Sequence, residues 1–178
     1  YGTTVPVRSN PDITITGSVI TNGGTFSATT TAGGFSNDSI NTGSGNVIIN
    51  AVSATLGDIT TTGTGSLSVV STNGVITQST SSSQNLAISG TSLFSASGGA
   101  ITLQNTSNNL QGAVTLTTTG GDATLVNDAP TTTLESTPPL RKAPTGTSAI
   151  LWAASVSSTF ARISSCHSPT DCADREAG

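Results

Sequence analysis

Pairs of aliphatic residues set one residue apart recur through most of this chain, and no other feature constrains its fold as much. Val47 and Ile49 stand in GNVIIN, Leu67 and Val69 in GSLSVVS twenty positions later, and Leu86 and Ile88 in QNLAIS after a further nineteen. Ile101/Leu103, Val114/Leu116 and Ala123/Leu125 follow at shorter intervals. A period of two buries one side of an extended strand and leaves the other to solvent. Each pair therefore reads as a short half-buried strand, closed by the Gly and Asn residues that flank nearly all of them. Ile13/Ile15, Val19 and Phe26 extend the pattern toward the start of the chain.

Short strands at near-regular spacing fit a sandwich, a barrel or a solenoid. A period near 20 is that of one β-helical coil. The strands are about 4 to 6 residues long, and no helical periodicity separates them. Asn46, Asn50, Asn105, Asn108 and Asn109 cluster at expected turns, where stacked amides can hydrogen-bond along an array. A sandwich needs longer alternations and more aromatic volume to fill a core ~10 Å thick, and aromatic residues are 3% of this chain. The expectation is an all-β chain, a parallel β-helix (solenoid) fragment of about six or seven coils over residues 1–134 and an irregular tail over 135–178. Ile101, Leu103, Leu110, Val114 and Leu116 are predicted to point inward, and Asn105, Asn108 and Asn109 to line a turn. Such a stack makes a rod on the order of 30 Å long. Its open strand edges predict end-to-end self-association.

Composition excludes several functions. Charged residues are 8% and the formal net charge is −4, which rules out the clustered Lys and Arg of a nucleic-acid-binding surface. Hydrophobic residues at 33% are too many for an ordinary disordered segment. The longest apolar run, residues 149–156, falls well short of the ~20 residues that cross a bilayer. No methionine and no signal peptide are present, so a processed chain or a piece of a longer one is expected.

Residues 86–125, LAISGTSLFSASGGAITLQNTSNNLQGAVTLTTTGGDATL, closely resemble the repeats of bacterial filamentous-haemagglutinin-like exoproteins. The segment around Phe94, then GGAITLQN, then NNLQGAVTL carry the likeness, and GSLSVVSTNGVITQS at 65–79 is similar to the same repeats. The resemblance extends over about residues 12–134. It implies a right-handed parallel β-helical stalk of a two-partner or autotransporter-type adhesin, secreted or held at the bacterial surface. Its implied partners are an outer-membrane transporter during export, and host or matrix glycans or surface proteins met through other parts of the parent chain. Ser9-Asn10-Pro11-Asp12-Ile13 is a faint echo of the NPNG-type secretion motif of these exoproteins but lacks the glycine. Asn-Pro-Asp is more simply a turn before the first strand.

From about residue 135 the chemistry changes. The tail holds both Cys, the only Trp, the only His and four of the five basic residues, with prolines at 138, 139 and 144. It reads as a linker and irregular end, or as sequence translated out of frame or through a cloning junction. Cys166-His167-Ser-Pro-Thr-Asp171-Cys172 is C-x₅-C with no second cluster, unlike the paired C-x₂₋₄-C ligands of zinc sites. A small disulfide loop is the better reading of that pair.

Parallel β-helices also serve as polysaccharide-active enzymes, which need paired carboxylates or a basic clamp on an anionic sugar. The repeat region offers Asp12, Asp38, Asp58, Asp122 and Asp128, with Arg8 as its only base. Each aspartate sits where turn chemistry accounts for it, although two of them on adjacent coils would lie only ~5 Å apart. Gly120-Gly121-Asp122 lacks the rest of a calcium-binding nonapeptide. Thr-x-Thr at 14/16, 29/31, 60/62, 115/117 and 131/133 raises ice binding, but at irregular spacing. The sequence thus predicts a structural adhesin stalk with no catalytic, cofactor-binding or metal-binding residues; an enzyme fragment and a Thr-rich ice-binding solenoid are the alternatives.

Overall fold

The computed structural model describes residues 5–9, 11–79, 81, 83–129 and 134–137. Every element in them is a β-strand, and every pairing between strands is parallel. The chain winds as a three-sided β-solenoid. Its first face stacks β1 (Val5–Ser9), β3 (Phe26–Thr30), β5 (Val47–Ala51), β8 (Leu67–Ser71), β11 (Ser92–Ala96), β14 (Val114–Thr118) and β16 (Leu134–Thr137). β2 (Ile13–Ile20) and β4 (Gly34–Gly43) each turn a corner in mid-strand, so their first halves lie on the second face and their second halves on the third. β6 (Ser53–Leu56), β9 (Ile76–Gln78), β12 (Ile101–Leu103) and β15 (Ala123–Leu125) continue the second face. β7 (Asp58–Thr61), β10 (Leu86–Ile88) and β13 (Asn109–Leu110) continue the third.

The faces carry seven, six and five strands, so about five coils are complete on all three sides. The six or seven coils expected from the sequence exceed the number complete on all three sides. On the first face, Val5, Phe26, Val47, Leu67, Ser92, Val114 and Leu134 are successive register partners. Coil lengths are therefore 21, 21, 20, 25, 22 and 20 residues. The shorter intervals seen in the sequence arise because Leu86/Ile88, Ile101/Leu103 and Val114/Leu116 lie on three different faces. The last strand, β16, runs to Thr137, three residues beyond the boundary expected at 134. Trp152, Cys166, His167, Asp171, Cys172 and the basic residues of the tail lie outside the described residues.

Alternation places the aliphatic residues. β3, β5 and β8 all show strict burial at every second position. In the central column of the first face, Ala28, Ile49, Val69, Phe94 and Leu116 follow one another along the axis, each 2% exposed or less. All five residues predicted to point inward are buried: Ile101, Leu103, Leu110, Val114 and Leu116. Full burial of an aliphatic side chain stabilises by roughly 1.5–3 kcal/mol, so each coil adds a share of core only when its neighbours cover it. Phe26 and Phe35 meet across the interior of the first coils, ring centroids 6.4 Å apart and planes inclined by 55°.

Ser92 is the exception in its column. It stands where Val47, Leu67 and Val114 supply aliphatic volume, and its Oγ is the one buried side-chain polar atom without a hydrogen-bond partner among the described residues. A buried hydroxyl left unpaired costs on the order of 1–3 kcal/mol. Ser92→Val, which restores the column's own residue, is expected to stabilise the chain by about 1 kcal/mol, measured by urea denaturation. An unchanged or lower midpoint would show that the space around residue 92 is too small for the two methyl groups.

The corners repeat as well. Where the first face turns into the second, Thr30, Ser71 and Thr118 close their own turns by accepting from Gly33 N, Gly74 N and Gly121 N at 3.0–3.1 Å. The same hydroxyls donate to the preceding coil, at Pro11 O, Val52 O and Gly99 O respectively (2.6, 2.7 and 3.0 Å). Where the third face turns into the first, Thr21, Thr42 and Thr61 donate to Gly24 O, Gly45 O and Gly65 O. One glycine per coil packs at that corner: a Cβ on Gly45, Gly65, Gly90 or Gly112 would fall 2.1–2.6 Å from a backbone oxygen of the coil before.

Candidate functional surface

The outward residues of the second face form one continuous file. Thr14, Ser36, Thr55, Thr77, Thr102 and Thr124 are register partners in sequence, one per coil. Adjacent parallel strands lie ~4.8 Å apart, which sets the spacing of the file. Ser36 Oγ donates to Thr14 Oγ1 at 3.3 Å, and the Thr55 and Thr77 hydroxyls are 3.3 Å apart. The file is a single column. Beside it, the position before each inward residue reads Asp12, Gly34, Ser53, Val75, Ala100 and Asp122, with no hydroxyl repeat. The Thr-x-Thr pairs of the sequence do not build it. Thr29 and the 115/117 pair sit on the first face, Thr60 on the third, and only Thr14 belongs to the file.

The aspartates are placed singly. Asp12 Oδ1 accepts from Gly34 N at 2.7 Å and Asp38 Oδ2 from Gly17 N at 2.9 Å, each bond joining neighbouring coils. Asp58 opens β7 and faces Ser39, whose Oγ lies 3.4 Å from Asp58 Oδ2. No two of the five described aspartates are strand register partners. No group of three or more His, Cys, Asp or Glu able to hold a metal ion occurs among the described residues. No helix among them is long and apolar enough to cross a membrane.

The asparagines behave differently from the stacked amide ladder expected of them. Most reach the backbone of an adjacent coil instead of one another. Asn37 accepts from Gly57 N and donates to Asp58 O (both 3.1 Å). Asn46 Oδ1 accepts from Ser66 N at 3.0 Å, and Asn85 Nδ2 donates to Ser107 O at 3.2 Å. Asn127 copies a strand: its Oδ1 accepts from Leu110 N at 2.8 Å and its Nδ2 donates to Leu110 O at 3.1 Å. Backbone amides at corners and edges outnumber nearby side-chain amides, so a side chain finds them first. Asn105 and Asn108 do line a turn, which Asn108 N closes on Asn105 O at 3.3 Å with its side chain fully buried, whereas Asn109 is in β13. Residue type marks the turn, and burial turns the Asn108 side chain inward.

Residues 44–117 match the family model of repeats of unknown function (DUF5649). The matched stretch begins at Ser44, in the corner turn before β5, and ends inside β14, so it takes in three successive coils including the longest. No curated protein and no solved structure matches the chain. The chain is a repeat protein with a β-solenoid fold, an architecture compatible with a structural role.

Proposed function

We propose that the chain is a stalk segment of a secreted, adhesin-like bacterial exoprotein, holding adhesive regions of a longer polypeptide away from the cell without catalysis. One observation carries the reading. Polar side chains bond one coil to the next: those of Asp12, Asn37, Asp38, Asn46 and Asn85 each reach a backbone group 20–22 residues away. Such bonds stiffen a rod along its axis and leave a weakly charged, hydroxyl-rich surface. In this reading export runs through an outer-membrane transporter, and contact with host or matrix glycans falls to other parts of the parent.

The purified chain is expected neither to bind any member of an array of host and matrix glycans tightly nor to cleave pectin-like polymers. Tight retention of one defined glycan would replace the stalk reading with a binding module, and polymer cleavage would replace it with an enzyme. A second reading attaches to the threonine file, which is in register although the Thr-x-Thr pairs are not. Organised water on an ice plane needs a flat two-dimensional array, and one file supplies a single row. Thermal hysteresis of the purified chain would favour ice binding over the stalk.

A further inference from the structure

Among the described residues, one pair of side-chain amides meets in the interior, where the longest coil abuts the next. Gln78 closes β9 as the register partner of Leu56, with Leu103 one step beyond the paired residues of β12, and Asn108, the residue before β13, extends the column of Ile40, Ile59 and Leu86. Gln78 is 8% exposed and Asn108 0%. Gln78 Nε2 donates to Asn108 Oδ1 at 2.7 Å, and Asn108 Nδ2 donates back to Gln78 Oε1 at 2.9 Å. The remaining capacity of both amides is also used. Gln78 Nε2 reaches Gln84 O at 3.3 Å, and Gln78 Oε1 accepts from Asn105 N at 3.4 Å. Asn108 Oδ1 accepts from Leu86 N at 3.0 Å, and Asn108 Nδ2 donates to Val126 O at 3.1 Å. Each amide has two donor hydrogens and two acceptor sites, and all are paired.

We infer that the Gln78–Asn108 pair is the register key of the solenoid, fixing how the coil beginning at β11 seats on the long coil before it. The need for a key is local. From Ala54 to Ile59 the corner between the second and third faces takes five residues; from Ile76 to Leu86 it takes ten, and from Ile101 to Asn108 seven. Those loops supply slack. The strands they join, Ile76-Thr77-Gln78 and Ile101-Thr102-Leu103, would still bury alternate residues after a slip of two, because a two-residue shift keeps inward residues inward. Hydrophobic contact alone distinguishes the two registers poorly. A slip separates the amides and strands up to eight buried donors and acceptors, each worth on the order of 1–3 kcal/mol. Asn108 binds at once to its own pair partner, to Leu86 on the coil before and to Val126 on the coil after, so it ties three coils into one order. Fixing register is the best-attested use of a buried polar group.

The test is disulfide trapping in the full chain, with Cys166 and Cys172 replaced by serine. Thr77 and Thr102 are outward register partners, close enough for a Thr77→Cys/Thr102→Cys disulfide, whereas partners two residues out of register lie beyond the ~7 Å limit for bridging. With the amide pair intact, Thr77→Cys is expected to cross-link to Thr102→Cys and not to Ala100→Cys or Gln104→Cys. In the Gln78→Leu/Asn108→Leu background, which fills both columns with their neighbours' residue type, β-structure is retained and the out-of-register pairs also cross-link. Gln78→Leu alone is expected to lower Tm by about 5 °C, because it leaves one donor and one acceptor site of the buried Asn108 amide without a partner. A double variant that cross-links only at 77/102 would overturn the inference, since hydrophobic packing would then suffice for register. A double variant that loses its β-structure would overturn it too, because the pair would then be a source of stability and not of specificity.

Discussion

Gly45→Ala is expected to destabilise the solenoid by about 3 kcal/mol or more, while Gly17→Ala lowers stability by only about 1 kcal/mol. The two glycines differ in what a methyl group would meet. At Gly45 a Cβ would lie 2.1 Å from Gly24 O and 2.5 Å from Gly24 C, both in the backbone of the preceding coil. That backbone cannot retreat, because Gly24 N is bonded to Thr21 O, Gly24 O accepts from the Thr21 hydroxyl, and Phe26 N is bonded to Asn46 O of the next coil. At Gly17 nothing lies within 4 Å, and the expected penalty comes from its φ of +85°, a conformation that costs an L-residue roughly 1–2 kcal/mol. Chemical denaturation of the two variants separates these causes. Equal losses would mean that the corner can open to admit a methyl group, and that inter-coil distance is set elsewhere.

The glycine file also shows what the sequence already contained. Gly24, Gly45, Gly65, Gly90 and Gly112 are spaced by 21, 20, 25 and 22 residues, the same as the coil lengths from Phe26 through Val47, Leu67 and Ser92 to Val114. Aliphatic pairs alone lose this rhythm at Ser92, because a serine occupies the inward position and the eye passes on to Leu86/Ile88 or Ile101/Leu103 on other faces. The parallel solenoid was nonetheless legible, since every pair in the sequence is a strand with its inward side correctly assigned. The reason is that burial at period two is enforced by the core regardless of which face a strand joins.

The surface file was not legible in the same way. Thr14, Ser36, Thr55, Thr77, Thr102 and Thr124 stand 22, 19, 22, 25 and 22 residues apart, and only the strand register turns those unequal numbers into a straight column. Threonine is common at outward strand positions for its own propensity, so composition could not single these six out. Asn108 lines its turn as expected, but the inward direction of its side chain was not legible either. Its residue type suits a turn, but its register position is that of Ile59 and Leu86, and a buried amide there is tolerated only because Gln78 and the backbone of two coils satisfy it. A partner thirty residues away cannot be read from local pattern.

The second large effect is expected at Phe94. It is 0% exposed and sits between Val69 and Leu116 in the central column of the first face, on the coil that follows the long one. The other two described phenylalanines, Phe26 and Phe35, pair with each other in the first coils. Phe94→Ala is expected to cost about 3–5 kcal/mol, the transfer loss plus the residual cavity. The consequence for cooperativity follows from the one-dimensional build. Coils interact only with their neighbours, so the interface energy between them holds the array to a single transition. A cavity between the coils of β8 and β14 weakens both interfaces of the β11 coil together. Unfolding followed by circular dichroism and by hydrogen exchange is therefore expected to split into two steps, with strands β12 to β15 losing protection before β3 to β7. A single transition with unchanged protection across the chain would show that coupling runs through the polar corners and the Asn108 network, and not through the aliphatic columns.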